Sequence, residues 1–300
     1  MNAAVWWRSA LAILALSITA PAVVAQGYNG PTLDKIREHG AIYLGYRETA
    51  VPFSYLVGDD VVGYSMDLCN RIVDSIKTQI GNPALKVVPV PVTGSSRLLM
   101  LITGIVDLEC GATANTKIRQ QAVDFSVTTF VSGVKAVVRK NSGIETAADL
   151  GGKTVVTTTG SGADRAVKAA LAKRNATVNF KAAATHAGSL AMLVSGQADA
   201  FVVDDAAMAE SLALFSDADK LKRLDENFSF EPYGIVLRKN DPPFKKLVDT
   251  ALIELMKSGE VEKLHYKWFL SPIPPKNVNL QIPMNDMFKD LLRNPNDKGI

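Results

Sequence analysis

Leu98-Leu-Met-Leu-Ile-Thr-Gly-Ile-Val-Asp-Leu-Glu-Cys-Gly-Ala112 recurs in looser form as Leu190-Ala-Met-Leu-Val-Ser-Gly-Gln-Ala-Asp-Ala-Phe-Val-Val-Asp204. Gly104 then aligns with Gly196, and Asp107 with Asp199, at one constant offset. Each copy reads as an amphipathic helix, a capping glycine, a buried strand and a loop. Two similar α/β lobes account for the pair, with Ala112 and Asp204 at equivalent strand exits. Chance likeness between two amphipathic helix–strand units is the alternative. Open α/β sheets bind ligands outside the carboxyl ends of their strands. Two such lobes facing each other therefore make a cleft lined by these loops.

The first copy runs on into Gly111-Ala-Thr-Ala-Asn-Thr-Lys-Ile-Arg-Gln-Gln-Ala-Val-Asp-Phe-Ser126. Asn115 or Thr116 can cap a short helix there, with Arg119 in its first turns. An arginine at a strand exit presents a planar fork of donors that suits a carboxylate; a surface Arg paired with a neighbouring acid is the other reading. Upstream, the strand Ala41–Tyr46 delivers Arg47 into a loop, and Thr93-Gly-Ser-Ser-Arg97 opens a helix. Downstream, Thr159-Gly-Ser-Gly-Ala163 enters the helix Asp164–Arg174. Free N–H groups at such a start suit an anion, although an ordinary tight turn reads the same way. The spacing is not that of a P-loop. Val131–Arg139 and Glu231–Arg238 read as strands, with hinges expected at Phe130–Lys135 and Phe230–Gly234.

Composition narrows the class. The 300 residues are 47% hydrophobic and 21% charged, enough to bury a sizeable core. The net charge is +3 with no Lys/Arg block, which argues against nucleic acid. Arg8, an apolar run, Pro21 and the small-residue exit at Ala25 read as a cleaved signal peptide. A membrane anchor is the alternative, but Pro21 interrupts the run and small residues end it. No Cys follows Ala25 to accept a lipid, so a free periplasmic protein is expected. Cys69 falls on the apolar face Leu68, Ile72, Val73, Ile76 of a helix, and Cys110 ends a strand that helix can cover. In an oxidising compartment the two can form a disulfide; two buried thiols are the other possibility. No metal, cofactor or catalytic group is read from the sequence.

The chain resembles the periplasmic solute-binding proteins that feed ABC transporters with polar amino acids, most of all those specific for glutamate and aspartate. The likeness spans about Thr32 to Asp297. Its carrying segments include Gly45-Tyr-Arg-Glu-Thr-Ala-Val-Pro-Phe-Ser-Tyr55, Glu109-Cys-Gly111, Arg119 through Ser126, Phe201-Val-Val-Asp-Asp205 and Trp268-Phe-Leu-Ser-Pro-Ile-Pro-Pro-Lys276. The resemblance implies the two-lobed type II periplasmic binding protein fold. The lobes would be 28–131 plus 233–275 and 132–232, after a signal peptide 1–25 and before a tail 276–300 that packs on the body. It also implies an acidic amino-acid ligand, a permease partner at the inner membrane and a monomer.

By the same resemblance, Arg119 grips the ligand's α-carboxylate and Asp204 receives its ammonium. Arg47, Arg97 and His186 surround the acidic side chain; a surface loop histidine is the alternative reading of His186. Thr159 and Ser161 donate from the second lobe, and Ala112, Ala114 and Tyr233 complete the wall. Three Arg and one Asp complement two carboxylates and an ammonium, since each Arg left unpaired in a closed cleft is costly. The chain departs from the pattern at Gly94, Ala112, Ala114 and Gly162. The family commonly places hydroxyl residues after the Gly of Glu-Cys-Gly, where this chain has the two alanines. At Gly94 it places a serine, and at Gly162 a threonine. An enzyme on the same fold, such as a cyclohexadienyl dehydratase, is the runner-up, with Glu109 as its acid.

Overall fold

The computed structural model describes residues 31–300 except 160, 206, 209, 210, 212–214, 216 and 217, so the leader and Gly160 lie outside the described residues. Among the described residues a five-stranded and a six-stranded sheet share one plan. In the first, β1 (Ala41–Tyr46) lies between β5 (Lys86–Pro91) and β6 (Leu108–Glu109), parallel to both. Antiparallel β14 (Val236–Arg238) and β7 (Val123–Phe125) complete it. In the second, β9 (Thr154–Thr158) lies between β10 (Asn179–Ala183) and β11 (Ala200–Asp204), again parallel to both. Antiparallel β8 (Phe130–Arg139) and β12 (Leu221–Arg223) follow in the same order. β13 (Ser229–Tyr233) also pairs with β8. A small hairpin layer, β2 (Thr49–Ala50), β3 (Ser54–Val57) and β4 (Asp60–Val62), flanks the first sheet.

The internal repeat is therefore structural. Gly104 and Gly196 take φ of 78° and 77°, a conformation glycine adopts without strain. Asp107 and Asp199 each close a two-way link to the central strand of their sheet. Asp107 N donates to Tyr43 O at 2.8 Å and Tyr43 N to Asp107 Oδ2 at 3.0 Å. Asp199 N donates to Thr154 O at 2.8 Å and Thr154 N to Asp199 Oδ2 at 2.8 Å.

Pattern and packing agree along most of the chain. α1 (Thr32–His39) ends at Gly40 in the left-handed region, and α2 (Tyr64–Ile80) buries Leu68, Cys69, Ile72, Val73 and Ile76. Cys69 and Cys110 are joined in a disulfide that ties α2 to the end of β6, across 41 residues of sequence. Closing a loop of that size is worth up to roughly 4 kcal/mol in the chain-entropy model. Pro89 sits in β5, an edge strand, where its missing N–H leaves no ladder bond unmade.

Two expectations are corrected. The stretch Glu231–Arg238 is two strands, not one: it breaks at Gly234-Ile235, where the chain leaves one sheet for the other. The helix expected to carry Arg119 is only a three-residue 3₁₀ turn, Arg119–Gln121. β7 begins at Val123 and must pair with β14, which leaves no room for a longer helix. Ile118 precedes the turn without a side-chain cap, and Thr116 Oγ1 accepts from Arg119 N at 3.2 Å.

The chain passes between the sheets beside the paired residues Phe130 and Tyr233. Phe130 belongs to an aromatic cluster with Phe53, Phe269, His265 and Phe288. Phe288, fully buried, lies on the tail helix Asp286–Arg293. The last residues then run beside the Arg119 turn: Lys117 N donates to Ile300 O at 2.9 Å and Ile300 N to Asn115 O at 3.1 Å.

Candidate ligand-binding cleft

Strand exits of both sheets converge on one cavity of about 270 Å³. From the first sheet's loops come Arg97, Ala112, Ala114, Thr116, Ile118 and Arg119. From the second come Ser161, Gly162, Arg165, His186 and Asp204, and the crossing strand β13 adds Glu231 and Tyr233. The volume lies near the lower end of the ~300–1,000 Å³ common for small-ligand sites. A larger cavity, about 640 Å³, borders α5 (His186–Val194), but apart from His186 its wall is apolar or uncharged. It lacks the convergent charges that orient a polar ligand.

The backbone of the loop after Cys110 sets the two arginines. Arg97 Nη1 donates to Ala112 O at 3.0 Å, and Arg119 Nη1 to Ala114 O at 2.7 Å. The alanines thus take part through their carbonyls. The loop itself is fixed along β13: Asn115 N donates to Pro232 O at 2.7 Å, and Ala114 bridges Tyr233. Arg97 is 7% exposed, and its Nη1 is 3.8 Å from Glu109 Oε1. Glu109 is fully buried and does not line the cavity; its Oε2 accepts from Thr113 Oγ1 at 2.6 Å. Burial, and then the nearby Arg97 charge, lower the Arg119 pKa, while Glu109 and Glu231 act to raise it.

Asp204 is held from both sides of the crossing. Its Oδ1 accepts from Tyr233 Oη at 3.0 Å, Ala207 N at 2.9 Å and Ser132 Oγ at 3.4 Å. His186 Nδ1 meets Thr158 Oγ1 at 2.9 Å. Burial holds the His186 pKa below its ordinary value despite the opposing Asp204 charge, which favours the neutral ring near pH 7. Ser161 caps α4 (Gly162–Lys173), its Oγ accepting from Asp164 N at 3.2 Å. Glu231 is pushed up to about 7 by burial and then by Asp204, against the pull of Arg119 and Arg165.

Of the residues singled out from sequence, Arg97, Ala112, Ala114, Arg119, Ser161, His186, Asp204 and Tyr233 meet at this cavity. Arg47 and Thr159 are not in its wall. Arg47 is half-buried beside Gly111, where a Cβ would lie 3.0 Å from Arg47 Cγ. Thr159 is exposed; strand alternation turns its neighbour Thr158 inward instead. Sequence reasoning missed Glu231, Arg165, Thr116 and Ile118 as wall residues. Alternation along β13 was the available signal for Glu231, which shares a strand face with Tyr233.

A cavity that sets arginines from one lobe against an acid and a capped helix start from the other is built to hold a small charged solute. Residues 42–271 match the model of the bacterial extracellular solute-binding proteins, family 3. The chain belongs to that family. This solute-binding protein is 42% identical over 290 residues to the L-glutamate/L-aspartate-binding protein of Pseudomonas aeruginosa, covering 96% of this chain and 95% of that one. It is 39% identical to the glutamate/aspartate import solute-binding protein of Escherichia coli K12, covering 98% of each. Among solved structures, an ancestral arginine-binding protein bound to arginine matches with a TM-score of 0.62 at 30% identity, over 77% of this chain and 98% of that one. An ancestral amino acid-binding protein, a precursor of cyclohexadienyl dehydratase, matches with a TM-score of 0.64 at 26% identity, over 80% and 99%. The solute-binding protein thus has the type II periplasmic binding protein architecture that the resemblance implied. Among the described residues no helix is long and apolar enough to cross a membrane.

Proposed function

We propose that this solute-binding protein captures glutamate or aspartate in the periplasm and presents it, as a non-enzymatic monomer, to the permease of an ABC transporter. The observation that carries the reading is the meeting of Arg97 and Arg119 with Asp204 in one cavity between the two sheets. Arg119 takes the α-carboxylate and Asp204 the ammonium. Arg97 and His186 face the side-chain carboxylate, with Arg47 one layer further out, and the start of α4 at Ser161 and Gly162 supplies donors from the second lobe. Lobe 1 comprises 28–131 and 233–275, and lobe 2 comprises 132–232. A ligand that bridges both lobes favours their closed arrangement. The names of the relatives at 42% and 39% identity support this reading.

Competition calorimetry with glutamate, aspartate, glutamine, succinate and glutarate tests it. Glutamate and aspartate should bind more tightly than glutamine, and both more tightly than the plain diacids. Each step should be at least about 2 kcal/mol, because the disfavoured ligand leaves a buried charge unsatisfied. Succinate binding as tightly as glutamate would sink the amino-acid assignment. The dehydratase alternative loses its expected acid, since Glu109 does not reach the cavity, though Glu231 does. Incubation with prephenate or arogenate should therefore give no product.

A further inference from the structure

Gly162 opens α4 where a side chain would collide. A Cβ built there would lie 1.6 Å from Glu231 Oε1 and 2.6 Å from Glu231 Cδ. The Glu231 carboxylate therefore fills the space that any other residue at 162 would need. Glu231 is 5% exposed and shares a strand face with Tyr233, which already donates to Asp204. The charged groups facing Glu231 come from every element packed around it: Asp204 from β11, Arg119 from the turn after β6 and Arg165 from α4, with His186 in the same wall. Neither acid makes an ion pair among the described residues, so two carboxylates share one end of the cleft.

We propose that Glu231, seated against Gly162, is a second acceptor for the ligand's ammonium group and gives up a proton to solvent when the ligand binds. This rests on the amino-acid reading of the cleft. Burial, and then the Asp204 charge, let Glu231 keep its proton in the empty cleft until the pH reaches about 7. An ammonium between the two carboxylates cancels their repulsion, so the second also ionises. The acid's O–H bond breaks, the carboxylate keeps the electron pair and the proton passes to buffer. The deprotonated form is the one that binds, so affinity should rise from about pH 6 to about pH 8.

Calorimetric titration with glutamate at pH 7 in two buffers of different ionisation heat counts the protons. The natural protein should release about half a proton per ligand, as expected of a group titrating near that pH. Glu231→Gln should release none, show a flat pH profile and bind about tenfold more weakly at pH 8. Gly162→Ala should fold, because its methyl meets only the mobile end of the Glu231 side chain, and should lose the release as well. Buffer-independent heats in the natural protein, or release that persists in Glu231→Gln, overturn the proposal and leave glutamate capture standing. Proton uptake also overturns it, because Glu231 would then be competing with the ligand carboxylate for Arg119. No heat from glutamate at any pH overturns the acidic amino-acid reading, and this proposal with it.

Discussion

Asp107 and Asp199 hold one residue each of the two central strands, Tyr43 and Thr154, by the same two-way link, but only Asp107 does so in full burial. Its side chain is 0% exposed, against 37% for Asp199. Lys35 Nζ lies 2.7 Å and Arg238 Nη2 3.1 Å from Asp107 Oδ1, whereas Arg139 Nη2 lies 3.6 Å from Asp199 Oδ1. Removing one member of a buried charge cluster strands the others. Asp107→Ala should therefore cost about 3–5 kcal/mol. Asp199→Ala loses a half-exposed pair and one backbone link, worth about 1–2 kcal/mol. Urea unfolding of the ligand-free protein measures both. Equal losses would show that burial does not separate the two copies.

That duplicated link explains what the sequence could reveal. Gly104 with Gly196 and Asp107 with Asp199 mark backbone requirements that recur wherever the helix–strand unit recurs. The two-lobed α/β architecture was legible for that reason. Alternation along β13 sets Glu231 on the face of Tyr233, but its reach into the cleft depends on the space left at Gly162, on another element. Arg47 does not line the cavity; its side chain packs beside Gly111, a contact that the order of residues does not reveal. The short turn at Arg119 was hidden as well, since the pairing of β7 with β14 overrides the local cap signal.

His265 titrates inside the aromatic cluster. It is 1% exposed, its ring stacks on Phe269 at 4.6 Å, and its Nε2 has no hydrogen-bond partner among the described residues. Burial pushes its pKa down to about 4, from 6.5. The unfolded chain takes up the proton first as pH falls, so the folded state is fully favoured above 6.5 and loses stability towards 4. The loss should be about 2–3 kcal/mol by pH 4.5. His265→Gln should remove that part of the acid sensitivity. Identical pH–stability curves for the two proteins would show that the ring is not what titrates.

Arg119 is the group whose removal should cost binding without costing the fold. Its carbonyl partner Ala114 also bridges Tyr233, so the loop has support independent of the guanidinium. Arg119→Ala leaves a ligand carboxylate without its partner, at about 3–5 kcal/mol. Glutamate affinity should fall by roughly two to three orders of magnitude. Calorimetry showing less than a tenfold loss would mean that the anchor lies elsewhere.

The tail should matter to binding although it does not line the cavity. Asp297 O accepts from Asn115 Nδ2 and from Gln120 Nε2, both at 2.9 Å, and Asp297 Oδ2 pairs with Lys245 at 2.9 Å. Thr128 N donates to Asn296 O at 2.8 Å. A Cβ at Gly299 would lie 2.9 Å from Asn115 Oδ1, so the backbone is pressed onto the turn that carries Arg119. Removing residues 296–300 keeps the helix Asp286–Arg293 and the buried Phe288, so the body should still fold. What it removes is the backing of residues 115–120. Each lost hydrogen bond is worth about 1 kcal/mol before water replaces it. Arg119 would then have to be reordered by the ligand, which lowers affinity. We expect about a tenfold weaker grip on glutamate, with the melting temperature lowered by only a few degrees. A truncated protein that binds glutamate as tightly as the full chain would reduce the tail to a cover for the hydrophobic core.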